Sequence, residues 1–340
     1  AFERVVSRII KHFEQRKDCD GKLIHIKFHI GYTLVKGKRA KAEELVQESI
    51  TAVKHAKRSK QSPAIYDPSM TSAAMETHLL ENDLRLAIER KEFELFYQPI
   101  VDLKTSLVTK AEALIRWRKN GKLISPVEFI PYLEESELII PVGRWIIQQA
   151  LQDLKEWQQQ GAQIKQVSVN ISIKQLADDT LSQWVSSLNS KLAVSPENLV
   201  LEVTESLALE SSENMELFFE RFGKMGVEVA LDDFGTGYSS LSYLHRYPFK
   251  KLKIDRSFIS NINQGDKGFN LLQSIIALSK SLELQSIAEG IEDAEVARLL
   301  SLMGVHYGQG FYYSRPIPHR EFIDYLLMSQ ANTTTNQTSD

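Results

Sequence analysis

The sequence predicts an α/β protein: a (β/α)8 TIM-like barrel with a partial α/β segment in front of it. Three observations predict this class. From Phe93 onward eight strand-like stretches alternate with helix-like ones. They fill roughly 240 residues, close to the usual barrel size of about 250. Polar residues fall at the C-terminal end of nearly every stretch, whereas an open doubly wound sheet would gather them at one crossover point.

Taken in order, Val5, Ile9 and Phe13, flanked by Val6 and Ile10, recur at helical spacing and predict a helix over Phe2–Phe13. Leu23 to Val35 alternates, with Ile24, Ile26, Phe28 and Ile30 on one face and Gly31 closing the run, which predicts a strand. Ala40–Lys57 returns to a helix with Leu45, Ile50 and Val53 buried, Pro63 and Pro68 punctuate the next stretch, and Ala64–Asp67 reads as a last short strand. Residues 1–70 thus form one small segment. Residues 71–90 read as a linker, helical from Met75 to Arg90, with Leu79, Leu80, Leu84 and Leu86 along one side.

The barrel is expected over residues 84–328. Its strands are Phe93–Ile100, Val108–Trp117, Gln166–Ile171, Leu199–Val203, Val227–Asp232, Lys251–Ile254, Gln285–Ala288 and Val305–Phe311. Helical patterns lie between most of them, such as Trp145, Ile146, Leu151 and Leu154, or Leu271, Leu272, Ile275 and Ile276. The tail, residues 329–340, is rich in Thr, Asn and Ser and reads as disordered.

Composition narrows the function classes. With 43% hydrophobic and 25% charged residues in 340, there is material for a full core. Forty-one basic residues against 44 acidic ones leave a charge of -3, so no global field draws the chain to a nucleic-acid polymer or anionic lipid. Cys19 is the single cysteine, which points to a reducing, cytoplasmic compartment. No apolar run reaches the ~18 residues of a membrane span. Leu138–Ile147 is interrupted by Pro141, Gly143 and Arg144. The opening residues Ala1–Arg4 form no signal peptide and read as the middle of something longer, which leaves room for a membrane or sensor region upstream.

If the strands close, Glu112, Asn170, Glu202, Asp232, Asp233, Lys253, Glu289 and Gln309 all face one mouth. A lone glutamate at a strand end is ordinarily a solvated rim residue, but five acids on successive strands repel one another unless cations neutralise them. The donors are oxygens, with no Cys or His among them, so Mg²⁺ or Mn²⁺ is favoured over Zn²⁺. Glu112, Asn170, Glu202 and Asp232 suit one ion, and Asp233 with Glu289 a second. Two ions ~4 Å apart suit in-line attack on phosphorus. Ca²⁺, with more ligands at longer distances, is expected to occupy the site and inhibit. The stretch Asp232–Leu241 then places two glycines directly after the acid pair, predicting a mobile loop with free backbone N–H groups beside a phosphate.

Glu112-Ala113-Leu114 with Arg116-Trp117, Asn170-Ile171-Ser172, Glu202-Val203-Thr204-Glu205, the Asp232–Leu241 loop, Lys253-Ile254-Asp255, Ala288-Glu289-Gly290 and Gln309-Gly310-Phe311 together resemble the EAL family of cyclic-di-GMP phosphodiesterases. The resemblance covers about Leu84 to Leu327, with the motifs in the family's order. It implies opening of one phosphodiester of cyclic-di-GMP to linear pGpG in second-messenger signalling. It also implies that Glu112, Asn170, Glu202, Asp232, Asp233 and Glu289 hold the ions and that Lys253 and Gln309 position the attacking water. Glu205 resembles the residue that anchors the loop after the fifth strand. Gln98 and Arg116 match positions contacting guanine and phosphate, and Leu114 lies beside the ligand. Phe311 stands where Tyr is commoner and Ile291 where Val is frequent, neither at a ligand position.

The N-terminal order of helix, strand, helix and short strand resembles the second half of a diguanylate cyclase (GGDEF) domain. The resemblance rests on Gly31, Ala56-Lys57 and Ile65-Tyr66-Asp67; the Gly-Gly-Asp/Glu-Glu-Phe signature is absent, so no cyclase activity is expected. An unrelated α/β cap is the alternative. Two further readings of the barrel stand beside hydrolysis: a catalytically silent cyclic-di-GMP receptor, against which the full acid set counts, and a barrel lyase using Lys253 as a Schiff-base amine. A second copy of the chain is among the expected partners, because half an α/β domain exposes apolar surface.

Overall fold

The computed structural model describes residues 5–6, 8–10, 12, 17–19, 22–24, 28–35, 41–59, 61–210, 212–235, 242–262 and 266–337. The chain divides into two compact units, Ala1–Asp83 and Leu84–Asp340.

In the first unit the backbone is helical at residues 5–6, 8–10 and 12; Phe2 and Phe13, the ends of the expected helix, lie outside the described residues. The single strand expected from Leu23 to Val35 is two separate pieces. Strand β1 (Lys17–Cys19) pairs antiparallel with β2 (Lys22–Ile24), and β3 (Gly31–Tyr32) pairs parallel with β4 (Ala64–Ile65). Residues 25–27 lie outside the described set. Gly31 opens a strand rather than closing one, for a steric reason. A Cβ there would sit 2.1 Å from the Val53 backbone nitrogen of helix α1 (Ala42–Ser59), so only glycine lets strand and helix approach this closely. That close packing also decides the helix's buried face, which is Ala52 and Ala56. Ile50 and Val53, expected inside, are 42% and 37% exposed. Helix α2 (Pro68–Glu89) begins earlier than the expected connector, because proline is well suited to a first helical turn and the Asp67 carboxylate accepts from Ser69 N–H (2.9 Å).

The second unit is a closed eight-strand barrel. In chain order its elements are β5 (Phe93–Asp102), β6 (Val108–Lys119), β7 (Lys122–Ile124), α3 (Pro126–Glu135), α4 (Ile139–Gln159), β8 (Gln166–Asn170), α5 (Ile173–Leu176), α6 (Leu181–Leu192), β9 (Leu199–Thr204), α7 (Glu205–Glu210) and α8 (Ser212–Met225). They continue with β10 (Glu228–Phe234), α9 (Ser242–Arg246), β11 (Lys251–Ile254), α10 (Arg256–Ser260), α11 (Asp266–Ser281), β12 (Gln285–Ala288), α12 (Ala294–Met303), β13 (Tyr307–Gly308), β14 (Ile317–Pro318) and α13 (His319–Gln337). The staves run β5, β6, β8, β9, β10, β11, β12, β13, and β13 pairs back to β5; β7 and β14 are short additions.

Seven staves are parallel and β5 is reversed, antiparallel to both β6 and β13. The connection from Asp102 to Val108 is too short for a crossover helix, so β5 and β6 form a hairpin. Asp102 Oδ1 accepts from the N–H groups of Lys104 and Thr105 and closes its turn. The last stave is shorter than expected, Tyr307–Gly308 rather than Val305–Phe311. Its chain turns at Gly310, where a Cβ would meet the Ile291 backbone at 2.1 Å.

Between the barrel and its helices lie two aromatic clusters: Phe93, Trp117 and Phe129, and Tyr97, Trp157 and Phe322. The region 329–340 is helical as far as Gln337, in contrast to the expected disordered tail; no proline or glycine occurs after Pro318 to break α13. Residues 338–340 lie outside the described residues. Among the described residues, no helix is long and apolar enough to cross a membrane.

Phe129 is fully buried, with ring centroids 5.8 Å from both Phe93 and Trp117. Phe129→Ala should destabilise the barrel by about 3–5 kcal/mol, the cost of lost burial plus an unfilled cavity. Urea unfolding checks this; a loss under about 1 kcal/mol would mean that the cluster repacks.

Candidate active site

Alternation along each stave selects what enters the barrel. Lys110, Glu112, Leu114 and Arg116 share one face of β6, as do Gln166, Ser168 and Asn170 on β8, and Lys251 and Lys253 on β11. Register then sets depth: Gln98 lies opposite Glu112, Asn170 opposite Glu202, and Glu202 opposite Ala230. Adjacent residues of a regular strand face opposite sides, so Asp232 and Asp233 should not both reach the mouth. They do because the β10–β11 register slips between Leu231 and Phe234 and Asp233 adopts a left-handed φ of 55°. The Asp232 carboxylate holds the kink by accepting from Asp233 N–H (2.9 Å).

Lys253 is the hub. Its ammonium, 1% exposed, lies 2.7 Å from Glu202 Oε2, 2.8 Å from Glu289 Oε1, 3.2 Å from Asp232 Oδ2 and 3.4 Å from Glu112 Oε2. Burial alone would lower its pKa, but the four acids raise it well above the ordinary lysine value. One cation cannot fully compensate four carboxylates, and the excess negative charge makes ionisation costlier for the acids around it. Burial, reinforced by neighbouring acids, pushes Glu202 well above the usual carboxylate range and Glu289 to about 8. Burial and then Asp232 also raise Asp233. Glu112 is the exception. Despite its burial, Lys253 and hydrogen bonds from Gln309 and Asn170 hold it below the ordinary value.

These residues fit divalent cations. Oxygens of Asp232, Asp233 and Glu289 lie within 4.8 Å of one another, Glu202 Oε1 is buried without a hydrogen-bond partner, and every donor is a hard oxygen. Asn170 donates to Glu112 Oε1 (2.9 Å), which leaves its carbonyl oxygen as a further donor to an ion.

Gln309 donates to Glu112 Oε2 (2.6 Å) and to Gln98 Oε1 (3.0 Å), and Gln98 donates to the Ser314 carbonyl (3.1 Å). Reversed β5 is therefore tied to the acid centre. Arg116 lies about 13 Å further along β6 than Glu112. Its guanidinium is 5.5 Å from the Phe96 ring, opposite Leu114 in the register. Glu205, 1% exposed at the start of α7, accepts from Gly235 N–H (2.8 Å). Gly235 has φ 94°, and a Cβ on it would meet Phe258 at 2.3 Å, so the turn out of β10 requires glycine. Residues 236–241 of the expected mobile loop lie outside the described residues. Asp255, next to the lysine motif, caps α10 by accepting from Ser257 N–H (2.9 Å).

Sequence reasoning missed a second polar layer, deeper in the barrel. Lys110 donates to Gln166 (2.8 Å) and Gln285 (3.2 Å), Gln166 donates to Glu228 (2.8 Å), and Lys251 pairs with Glu228. Burial and then Lys251 push Lys110 down to about 7. Period two was the available signal, because Lys110 precedes Glu112, and Lys251 precedes Lys253, by two residues.

Residues 81–316 match the family model of the EAL domain. The chain is similar to the bifunctional diguanylate cyclase/cyclic di-GMP phosphodiesterase MucR of Pseudomonas aeruginosa, 33% identical over 322 residues, 94% of this chain and 47% of that protein. It is 36% identical to the cyclic di-GMP phosphodiesterase PdeR of Escherichia coli over 75% of this chain and 38% of PdeR. It is 40% identical to the signaling protein YkoW of Bacillus subtilis over 72% of this chain and 30% of YkoW. The chain thus spans less than half the length of each of these relatives. Among solved structures, the PaMucR phosphodiesterase in complex with c-di-GMP superposes with a TM-score of 0.67 at 36% identity, covering 72% of this chain and 99% of that one. The cAMP-bound EAL enzyme Bd1971 gives 0.70 at 37% identity, covering 75% and 71%.

Divalent-cation binding should displace protons from the raised acids. The affinity for Mn²⁺ should therefore rise between about pH 6 and about pH 8, by up to about tenfold per unit for each proton displaced. Isothermal titration measures this, and a pH-independent affinity would remove Glu202 and Glu289 from the ion's ligands.

Proposed function

The chain belongs to the EAL domain family, and we propose on that basis that it is a metal-dependent phosphodiesterase opening one phosphodiester of cyclic-di-GMP to linear pGpG. The observation that carries this reading is the complete acid set gathered around Lys253. In this reading Glu112, Asn170, Glu202, Asp232, Asp233 and Glu289 hold two ions, Mg²⁺ or Mn²⁺. When bound, the ions polarise the phosphoryl group and lower the pKa of the attacking water.

The chain's own groups divide the remaining work. Lys253, whose pKa the surrounding acids raise well above the ordinary lysine value despite burial, acts as a fixed cation that helps position the attacking water. Gln309, tied to Glu112, orients the attacking water. The oxygen of that water bonds to phosphorus as the P–O bond to the ribose breaks, and the proton the water loses ends on the departing ribose oxygen, which leaves as a hydroxyl. Gln98 and Arg116 take guanine and phosphate, Leu114 lines the ligand, and Glu205 positions the loop that begins at Gly235. The completeness of the acid set favours hydrolysis over a binding-only role. The single Cys19 supports a cytoplasmic setting.

For the first unit we propose a degenerate or partial diguanylate cyclase-like segment that neither binds nor cyclises GTP. The parallel β3–β4 pair against α1 and the similarity to MucR over 94% of the chain support the cyclase-like reading, and the missing Gly-Gly-Asp/Glu-Glu-Phe signature supports the absence of GTP chemistry.

Cyclic-di-GMP supplied with Mg²⁺, Mn²⁺ or Ca²⁺ in turn, with products separated by chromatography, tests the reaction. Linear pGpG should form with Mg²⁺ or Mn²⁺ and hardly at all with Ca²⁺, whose looser geometry misplaces the reactants. Glu112→Ala should lower turnover by about 10²-fold or more with an unchanged circular dichroism spectrum. Near wild-type hydrolysis would sink the ligand assignment. Lys253→Ala should depress kcat more than it raises KM; an effect confined to KM would make the lysine a phosphate clamp.

A further inference from the structure

Helix α13 opens at His319, directly after β14, which pairs with β5 at Tyr97 and Phe96. The His319 ring stacks on Trp157, with centroids 5.5 Å apart at 21°, and is thereby set between two acids of α4. Its Nδ1 is 3.3 Å from Asp153 Oδ2 and its Nε2 is 3.5 Å from Glu156 Oε2. A neutral imidazole carries a proton on only one nitrogen, so its other lone pair would face a carboxylate. Asp153 cannot swing aside. It is 6% exposed, and it already accepts from the Tyr97 hydroxyl (2.6 Å) and from Gln149 (2.8 Å).

We propose that His319 is an imidazolium clasped between Asp153 and Glu156, forming a pH-sensitive buckle that fastens the segment Gln309–His319 across the reversed stave β5. The inner end of this segment is already tied: Gln309 donates to Gln98, and Gln98 donates to the Ser314 carbonyl. Tyr97 and Gln98 are consecutive and face opposite sides. One point of β5 is therefore held from outside by Asp153 and from inside by the mouth, and His319 decides the charge balance of the outer tie.

The other charged groups nearby are Glu94 of β5, paired with Arg118 at 2.7 Å, and Arg320 and Glu321 in the first turn of α13. Ligand atoms of Asp153, Glu156 and His319, one from each, also lie within 4.8 Å of one another, so a divalent cation held through one ring nitrogen is the competing occupant that the test must separate from a proton. The close approach of the Asp153 carboxylate, opposed by burial and aided by the charge of both acids, raises the His319 pKa above its ordinary value. A raised folded-state pKa means that the buckle's contribution is complete below about pH 6.5 and is lost as pH rises through the folded-state value.

Histidine side-chain NMR titration of the whole chain, with His319 assigned from H319Q, should place its pKa above about 6.5, falling toward 6.5 in E156Q and D153N. The melting-temperature gap between wild type and H319Q should narrow by about 2–4 °C from about pH 6 to about pH 9. A His319 pKa at or below about 6.5, or a gap that does not change with pH, overturns the proposal. So does a Zn²⁺-induced rise in melting temperature present in wild type and lost in H319Q, which would make the triad a metal site. None of these readouts uses turnover, so they stand apart from the hydrolytic reading.

Discussion

Five carboxylates cannot share a buried mouth without compensating charge, and the rest of the barrel is arranged around that constraint. Lys253 supplies the central positive charge among the described residues, within 3.4 Å of four of the acids. Despite its burial they raise its pKa well above the ordinary lysine value, while burial and the excess of acids over one ammonium raise those of Glu202 and Glu289. Breaking such a cluster by removing one member leaves uncompensated charge in low dielectric, which costs several kcal/mol. The same imbalance that makes the metal-free site costly makes it receptive to hard divalent cations.

Two backbone irregularities deliver the charges to this point. The kink at Asp233 brings both members of the acid pair to one side, against the alternation of the strand. The reversal of β5, forced by its short connection to β6, sets Gln98 opposite Glu112 and lets the Gln98–Gln309–Glu112 chain of hydrogen bonds cross the barrel seam. Conformational strain at one residue is of the order of 1–3 kcal/mol, and here the surrounding packing sustains it at the acid-lined mouth.

Below the acid centre the interior stays polar, with Lys110, Gln166, Glu228, Lys251 and Gln285 bonded to one another. A barrel of this size usually fills with branched apolar side chains. The polar layer instead continues the charge compensation downward, with both lysine ammonium groups set against acceptors. The outer face follows the ordinary rule, with aromatic clusters such as Tyr97, Trp157 and Phe322 sealing staves to helices.

The eight staves were legible in the amino-acid order, because period-two runs and the helical patterns between them are local properties of the chain. So was the set of side chains gathered at the mouth, since acids and amides at successive strand ends share a face once the strands close. Other features depend on contacts between distant segments. That β5 lies antiparallel to β13, that Asp233 turns left-handed, and that four acids converge on Lys253 became visible only in the folded barrel. In the first unit Ile50 and Val53 of α1 fit a helical apolar stripe, yet Ala52 and Ala56 are the residues buried. Gly31 brings a strand so close to that helix that only small side chains fit between them, a steric fact that exists only once both segments are in place.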